Sequence, residues 1–141
     1  MQLSPHFTLA ELTVSQSAAR LGIDNNPPAN VIKNLQRTAL GLEGVRMLLG
    51  APVLVSSGYR SPALNKAVGG SKNSQHMTGQ AVDFICPGFG SPAQIVKTLV
   101  NSGMAYDQVI IEFDRWVHLS FSDKPRRQAL IIDANGTRAY A

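Results

Sequence analysis

Cysteine is nearly absent from this chain: Cys86 stands alone among 141 residues. One thiol closes no internal disulfide, so the fold owes nothing to an oxidising compartment. The role expected of Cys86 is that of a small buried side chain at a strand end. Long apolar runs are missing too. Nothing approaches the roughly 18 consecutive apolar residues of a spanning helix, so stable membrane insertion is not expected. The opening lacks the charged stretch and apolar block of a secretory signal, which points to synthesis in the cytoplasm without export by that route. No repeat, low-complexity segment or linker divides the sequence. Residues 1–141, with 44% hydrophobic residues, are therefore expected to form one domain around a single core. Charge of either sign is sparse, and the net value of +4 suits an anionic partner without choosing among cell wall, membrane surface and nucleic acid. A nucleic-acid surface needs cations along one face with stacking rings nearby, whereas Lys and Arg are scattered here apart from Lys124, Arg126 and Arg127. No nucleic-acid partner is expected.

What is present is a legible series of helix and strand signals. Thr8-Leu9-Ala10-Glu11 has the form of a capping box, with Phe7 in the place of the hydrophobic staple, so a short helix starts there. Ser15 or Ser17 caps a second helical turn ending at Gly22. After the loop signal Asn25-Asn26-Pro27-Pro28, the residues Val31, Ile32, Leu35, Ala39, Leu42, Val45 and Leu49 recur at helical spacing up to Gly50. This is the longest helix and a core element. Val53 to Ser57 reads as a strand that turns sharply at Gly58, and Ser61-Pro62 opens a short helix through about Ala67. Gly69 to Ser74 is a flexible loop without the Gly-x4-Gly-Lys-Ser/Thr order of a phosphate loop. A strand from Gln80, a loop from Cys86 to Gly90 and a helix from Ser91-Pro92 to near Gly103 follow. Further strands are expected at Gln108–Phe113, Trp116–Phe121 and Ala129–Asp133, with Asn135-Gly136 making a final turn before a short tail. Together these predict an α+β fold, a mostly antiparallel sheet flanked by helices.

Chemistry concentrates in two stretches, Ser74-Gln75-His76-Met77-Thr78-Gly79-Gln80-Ala81-Val82-Asp83 and Trp116-Val117-His118-Leu119-Ser120. Two imidazoles and a carboxylate are the donor set that zinc accepts when one tetrahedral position is left for water. His76 and Asp83 are too far apart for one helical turn and Gly79 lies between them, so a loop running into a strand is the natural geometry. On that strand Asp83 shares a face with Ala81, and His118 shares a face with Trp116 and Ser120 on another. Donors on two neighbouring strands are rigidly held. His6 has no such context and is read as a surface or capping residue. Hydrolysis would also need a carboxylate within reach as general base, and Glu112 and Asp114 both lie just before His118. A two-residue Asp114-Arg115 turn would set Glu112 opposite Val117, facing away from His118. A three-residue loop, Phe113 to Arg115, sets Glu112 opposite Trp116 and restores the shared face. That longer loop, or a bulge, is expected.

Several motifs taken jointly resemble a known family: Ser57-Gly58-Tyr59-Arg60-Ser61-Pro62, Leu64-Asn65, Val68-Gly69-Gly70-Ser71, Ser74-Gln75-His76, Gly79 to Asp83, Glu112 and Trp116-Val117-His118. With the opening Leu3-Ser4-Pro5-His6-Phe7-Thr8 and the long helix after it, the chain resembles the zinc D-alanyl-D-alanine carboxypeptidases. That family includes phage L-alanyl-D-glutamate endopeptidases and shares its fold with the hedgehog signalling domain. The resemblance implies one zinc ion held by His76, Asp83 and His118. It implies Glu112 as general base, since a Glu six residues before the last His fills that role in members of this type. Arg60 occupies the family's arginine position after a Gly-containing turn, where a fixed guanidinium stabilises an oxyanion or anchors a substrate carboxylate. Ser74 and Gln75 either add hydrogen bonds to substrate or metal ligands or serve the loop alone. Trp116 shapes the pocket wall. Some relatives carry a His there, so Trp removes a proton donor and leaves more of the work to Glu112 and Arg60. The implied function is a zinc peptidase that cuts the stem peptides of bacterial peptidoglycan. A phage endolysin-type endopeptidase is expected, monomeric and acting on the cell wall, in the periplasm of a Gram-negative host. Two alternatives stand beside it: a D-Ala-D-Ala carboxypeptidase of wall metabolism, and a zinc-bearing wall-binding module without turnover, against which Glu112 and Arg60 argue.

Overall fold

The chain opens with two short paired strands, β1 (Gln2–Ser4) and β2 (Phe7–Thr8), which the sequence pattern did not announce. Thr8 then caps α1 (Leu9–Thr13) with the reciprocal Thr8–Glu11 bonds of a capping box, and Phe7 is buried beneath it. Ser15 caps α2 (Gln16–Leu21), which Gly22 terminates in the left-handed region at φ 67°. The long helix α3 (Ala29–Leu49) buries Val31, Leu35, Ala39, Leu42, Val45 and Leu49 along one stripe and ends at Gly50. Helices α4 (Pro62–Ala67) and α5 (Pro92–Asn101) each begin with Pro after a capping Ser.

In this computed structural model, which describes residues 1–140, the remaining strands form one six-stranded sheet. They are β3 (Leu54–Ser57), β4 (Ala81–Ile85), β5 (Gln108–Glu112), β6 (Trp116–Ser120), β7 (Gln128–Asp133) and β8 (Gly136–Ala139), in the spatial order β3-β4-β6-β5-β7-β8. All neighbours are antiparallel except β5 and β7, so the fold is α+β with a sheet that is mostly, not wholly, antiparallel. The tail expected after Asn135-Gly136 is instead a strand, because the turn at Gly136 folds Thr137 to Ala139 back along β7. Side chains of α3 and α5 meet the inward faces of β4, β5 and β6 in one apolar cluster that includes Leu35, Leu42, Val82, Phe84, Ile95, Leu99, Val109, Val117 and Leu119. Cys86 is fully buried in it. His6 lies at the surface, where its ring and backbone N–H both bond Glu43 of α3, at 2.7 Å each, and latch the β1–β2 turn to the helix. No helix among the described residues is long and apolar enough to cross a membrane.

Two features of the sheet position the site. The central strand β6 pairs on one side with β4, setting Asp83 directly opposite His118, and on the other with β5, setting Ile110 opposite His118 and Glu112 opposite Trp116. Residues directly opposite in an antiparallel pair point their side chains to the same face. Asp83, His118, Trp116 and Glu112 therefore stand on one face of three adjacent strands.

Candidate metal centre

His76 reaches that face from a short 3-10 helix, Gln75–Thr78, which Ser74 caps by accepting the His76 N–H at 3.2 Å. Gly79 ends the helix in the left-handed region and leads the chain into β4. Its carbonyl accepts from buried Thr38 of α3 at 2.7 Å, and Asn34 holds the Thr78 carbonyl at 2.9 Å. The 3-10 helix is thus fastened to the longest helix on one side. On the other, the Arg60 N–H donates to the His76 carbonyl at 3.0 Å. The loop that delivers His76 is held at both ends.

Three donor atoms converge. His76 Nε2 and His118 Nδ1 lie 3.4 and 3.1 Å from Asp83 Oδ1, and all three atoms fall within 4.8 Å of one another. For zinc with ligand distances of about 2.0–2.1 Å, the edge of the coordination tetrahedron is about 3.3 Å. The two spacings to Asp83 match that edge; His76 and Asp83 are buried, and the His118 side chain is 12% exposed. His76 Nδ1 lies 2.7 Å from the Gly58 carbonyl oxygen. A carbonyl only accepts, so Nδ1 carries the proton and Nε2 is left with its lone pair toward the cluster, the arrangement that orients a histidine for a metal. Gly58 is required for this, because a Cβ there would collide with the backbone of Leu12. In the metal-free protein burial opposes ionisation of Asp83, but the His118 and His76 rings beside it outweigh that and hold the carboxyl well below the usual range.

The β5–β6 connection is the three-residue loop Phe113 to Arg115, with Phe113 and Asp114 both in the left-handed region at φ 54° and 56° and Arg115 N–H bonded to the Glu112 carbonyl at 3.0 Å. Glu112 accordingly faces the cluster, with Oε1 3.8 Å from His118 Nδ1. Burial first, and then the negative charge of Asp83, push its pKa up, against the opposing pull of His118 and His76. Asp114 sits at the loop tip and lines a neighbouring groove instead. The Trp116 indole packs against Phe113 with ring centroids 5.8 Å apart, and its buried Nε1 has no hydrogen-bond partner among the described residues. Arg60 holds Nη2 3.6 Å from Asp83 Oδ2 and donates through Nη1 to Asn65 Oδ1 at 3.4 Å. Arg60, Ser74, Gln75, Glu112 and Trp116 all line a cleft of about 370 Å³ that contains the three donors.

The model of the Peptidase M15 family matches residues 5–120, a span that takes in all of these side chains. The chain belongs to this family. M15 peptidases are zinc-dependent and act on peptidoglycan, and the buried His-Asp-His group supplies a donor set and spacing suited to that ion. No curated protein matches the chain.

Among the residues in or beside the cleft that were not singled out as site residues in the sequence are Asp107 and Arg126. Asp107, just before β5, is buried and accepts four N–H groups: Arg126 backbone N at 2.9 Å, Arg126 Nε at 2.9 Å, Arg126 Nη2 at 2.7 Å and Gln75 Nε2 at 2.9 Å. The only sequence signals were an acid preceding an apolar strand and the basic cluster around Arg126. Bonds from Arg126, opposed by burial, hold the Asp107 carboxyl below its ordinary pKa of 3.8. A depressed folded-state pKa contributes stability that is fully present above the ordinary value and is lost as pH falls below it. In metal-free protein, Asp107→Asn is therefore expected to be less stable than wild type at pH 7. The difference should shrink as pH drops below about 4, as read from urea midpoints; a gap that stays constant to pH 2 would refute this linkage.

Proposed function

We propose that this M15 peptidase hydrolyses an internal amide bond in peptidoglycan stem peptides, as an endopeptidase of the endolysin type acting at the cell wall, with His76, Asp83 and His118 holding one zinc ion. When bound, zinc supplies Lewis acidity that polarises the scissile carbonyl and makes a water molecule easier to deprotonate. Glu112 takes the proton from the attacking water and passes it to the leaving amine. Burial in the cleft, which raises its pKa in the metal-free protein, favours its taking up a proton. Arg60 donates to the carbonyl oxygen as negative charge builds there, and Asp83 and Asn65 keep its guanidinium in place beforehand. With its amide nitrogen fixed on Asp107, Gln75 presents Oε1 as an acceptor for a substrate N–H. The observation that carries this reading is the shared face of Glu112 and the three donors, enforced by the three-residue loop. Trp116 lines both the catalytic cleft and a groove of about 830 Å³ that runs round to Ile111 and Ile131 on the helix-facing side of the sheet.

Digestion of purified peptidoglycan by zinc-loaded protein, with fragments read by mass spectrometry and a chelator control, tests the reading. New ends at an internal amide bond are the expected result. Release of single D-Ala residues would instead make the protein a carboxypeptidase. If no wall type gives chelator-sensitive cleavage, a zinc-bearing binding module becomes the better account.

A further inference from the structure

The catalytic cleft has a second guanidinium on its wall, and nothing in the roles above uses it. Arg126 lines the cleft together with Arg60, but it lies in the β6–β7 loop, beyond the stretch matched by the family model. Its placement is unusually constrained for a loop arginine. Its backbone N–H and its Nε–Nη2 edge both bond Asp107, while the next residue, Arg127, takes the left-handed region at φ 51°, stacks over Tyr106 at 5.3 Å and donates to the Val100 carbonyl at 3.2 Å. The Gln128 N–H closes the loop on the Asp107 carbonyl at 2.9 Å. Asp107 therefore spends one edge of the Arg126 fork. Nη1 and the second Nη2 hydrogen remain, a planar pair of donors spaced to receive both oxygens of a carboxylate.

Register gives the distance from the chemistry. Gln108, Ile110 and Glu112 alternate along β5 and line the cleft, with Ile110 opposite His118 of the donor cluster. Arg126 is bonded at the Asp107–Gln108 end of that row. Three residues of strand separate Asp107, which holds Arg126, from Ile110, about 10 Å at about 3.3–3.4 Å per residue. A carboxylate on the residue adjoining a scissile amide at the cluster, together with its hydrogen-bonded contact to the guanidinium, spans that distance. We propose that Arg126 is a specificity residue that binds a free carboxylate on the residue adjoining the scissile bond, so that the enzyme prefers stem peptides in which that carboxylate is not amidated. This rests on the peptidase reading above and refines it. Asp107 offsets part of the Arg126 charge, so the preference is that of one charge-assisted pair.

The test compares zinc-loaded wild type with Arg126→Gln on three synthetic peptides: L-Ala-γ-D-Glu-meso-diaminopimelate-D-Ala-D-Ala, and the same peptide with either the D-Glu α-carboxylate or the terminal carboxylate converted to the carboxamide. In wild type, one of the two conversions is expected to lower kcat/KM roughly tenfold or more, chiefly through KM. In Arg126→Gln the same conversion should cost less than about twofold, with zinc content unchanged. Because each comparison is a ratio within one protein, a partly destabilised variant still reports. Arg126→Lys, which keeps the charge without the fork, should fall between the two and serves if the Arg126→Gln variant does not accumulate. Equal cleavage of all three peptides by wild type, or undiminished discrimination in Arg126→Gln, overturns the proposal alone. If wild type cleaves none of them, the peptidase reading falls as well.

Discussion

Alanine at His76, Asp83 or His118 is expected to lower zinc affinity by roughly 100-fold or more, beyond the 10- to 100-fold typical of losing an outer partner of a ligand. Cleavage of peptidoglycan should disappear with it. The three donors are not equivalent in what their loss leaves behind. Removing Asp83 leaves Arg60 facing two imidazoles with no carboxylate between them. Removing His118 leaves Asp83 and Glu112 on the same sheet face without the group that separates their charges. Metal analysis after gel filtration, run beside the activity assay, is the measurement. Stoichiometric zinc in any one of the three variants would remove that residue from the metal site.

Glu112→Gln should separate proton transfer from metal binding. The amide keeps the size and place of the carboxylate but cannot take a proton, so turnover is expected to fall by roughly 10²–10⁴-fold with zinc retained. Asp114→Asn should stay within about twofold of wild type, since Asp114 projects at the loop tip toward the neighbouring groove. The reverse pattern, an active Glu112→Gln beside an inactive Asp114→Asn, would transfer the role of base to Asp114. Because Glu112 is not one of the three donors, any change in zinc affinity should be small and measurable by competition with a chromophoric chelator.

Much of the fold could be read from the chain because its signals are local. The capping box at Thr8, the Ser-Pro starts at Ser61 and Ser91, and the terminating Gly22 and Gly50 each act through backbone groups a few residues away, and each falls where the pattern put it. The proximity of Glu112 to His118 was legible for a similar reason, since strand parity and loop length decide it together. Pairing between distant strands was less visible. The parallel match of β5 with β7 depends on which apolar edges meet after the sheet assembles, and residues 128–133 carry no local mark of it; the return of β8 is marked by the Asn135-Gly136 turn, but Thr137 to Ala139 are too few to show a strand period. The β1–β2 hairpin was hidden because its two strands are too short to show a period. The Asp107–Arg126–Gln75 network escaped for a physical reason as well. Its members come from three separate segments, and a buried carboxylate reveals its partner only when the loop that carries the partner has been placed.

The carbonyl that orients His76 belongs to a residue without a side chain, and that residue lies where it does because the backbone of Leu12 runs directly against it, with the Tyr59 N–H bonded to the Leu12 carbonyl at 2.7 Å. The end of α1 is therefore a structural wall of the candidate metal site. For protein engineering, this makes the segment through Thr13 part of the enzyme and not a leader to be trimmed. A fusion joint or deletion that displaces α1 would be felt at the imidazole of His76, although nothing in that segment lines the catalytic cleft.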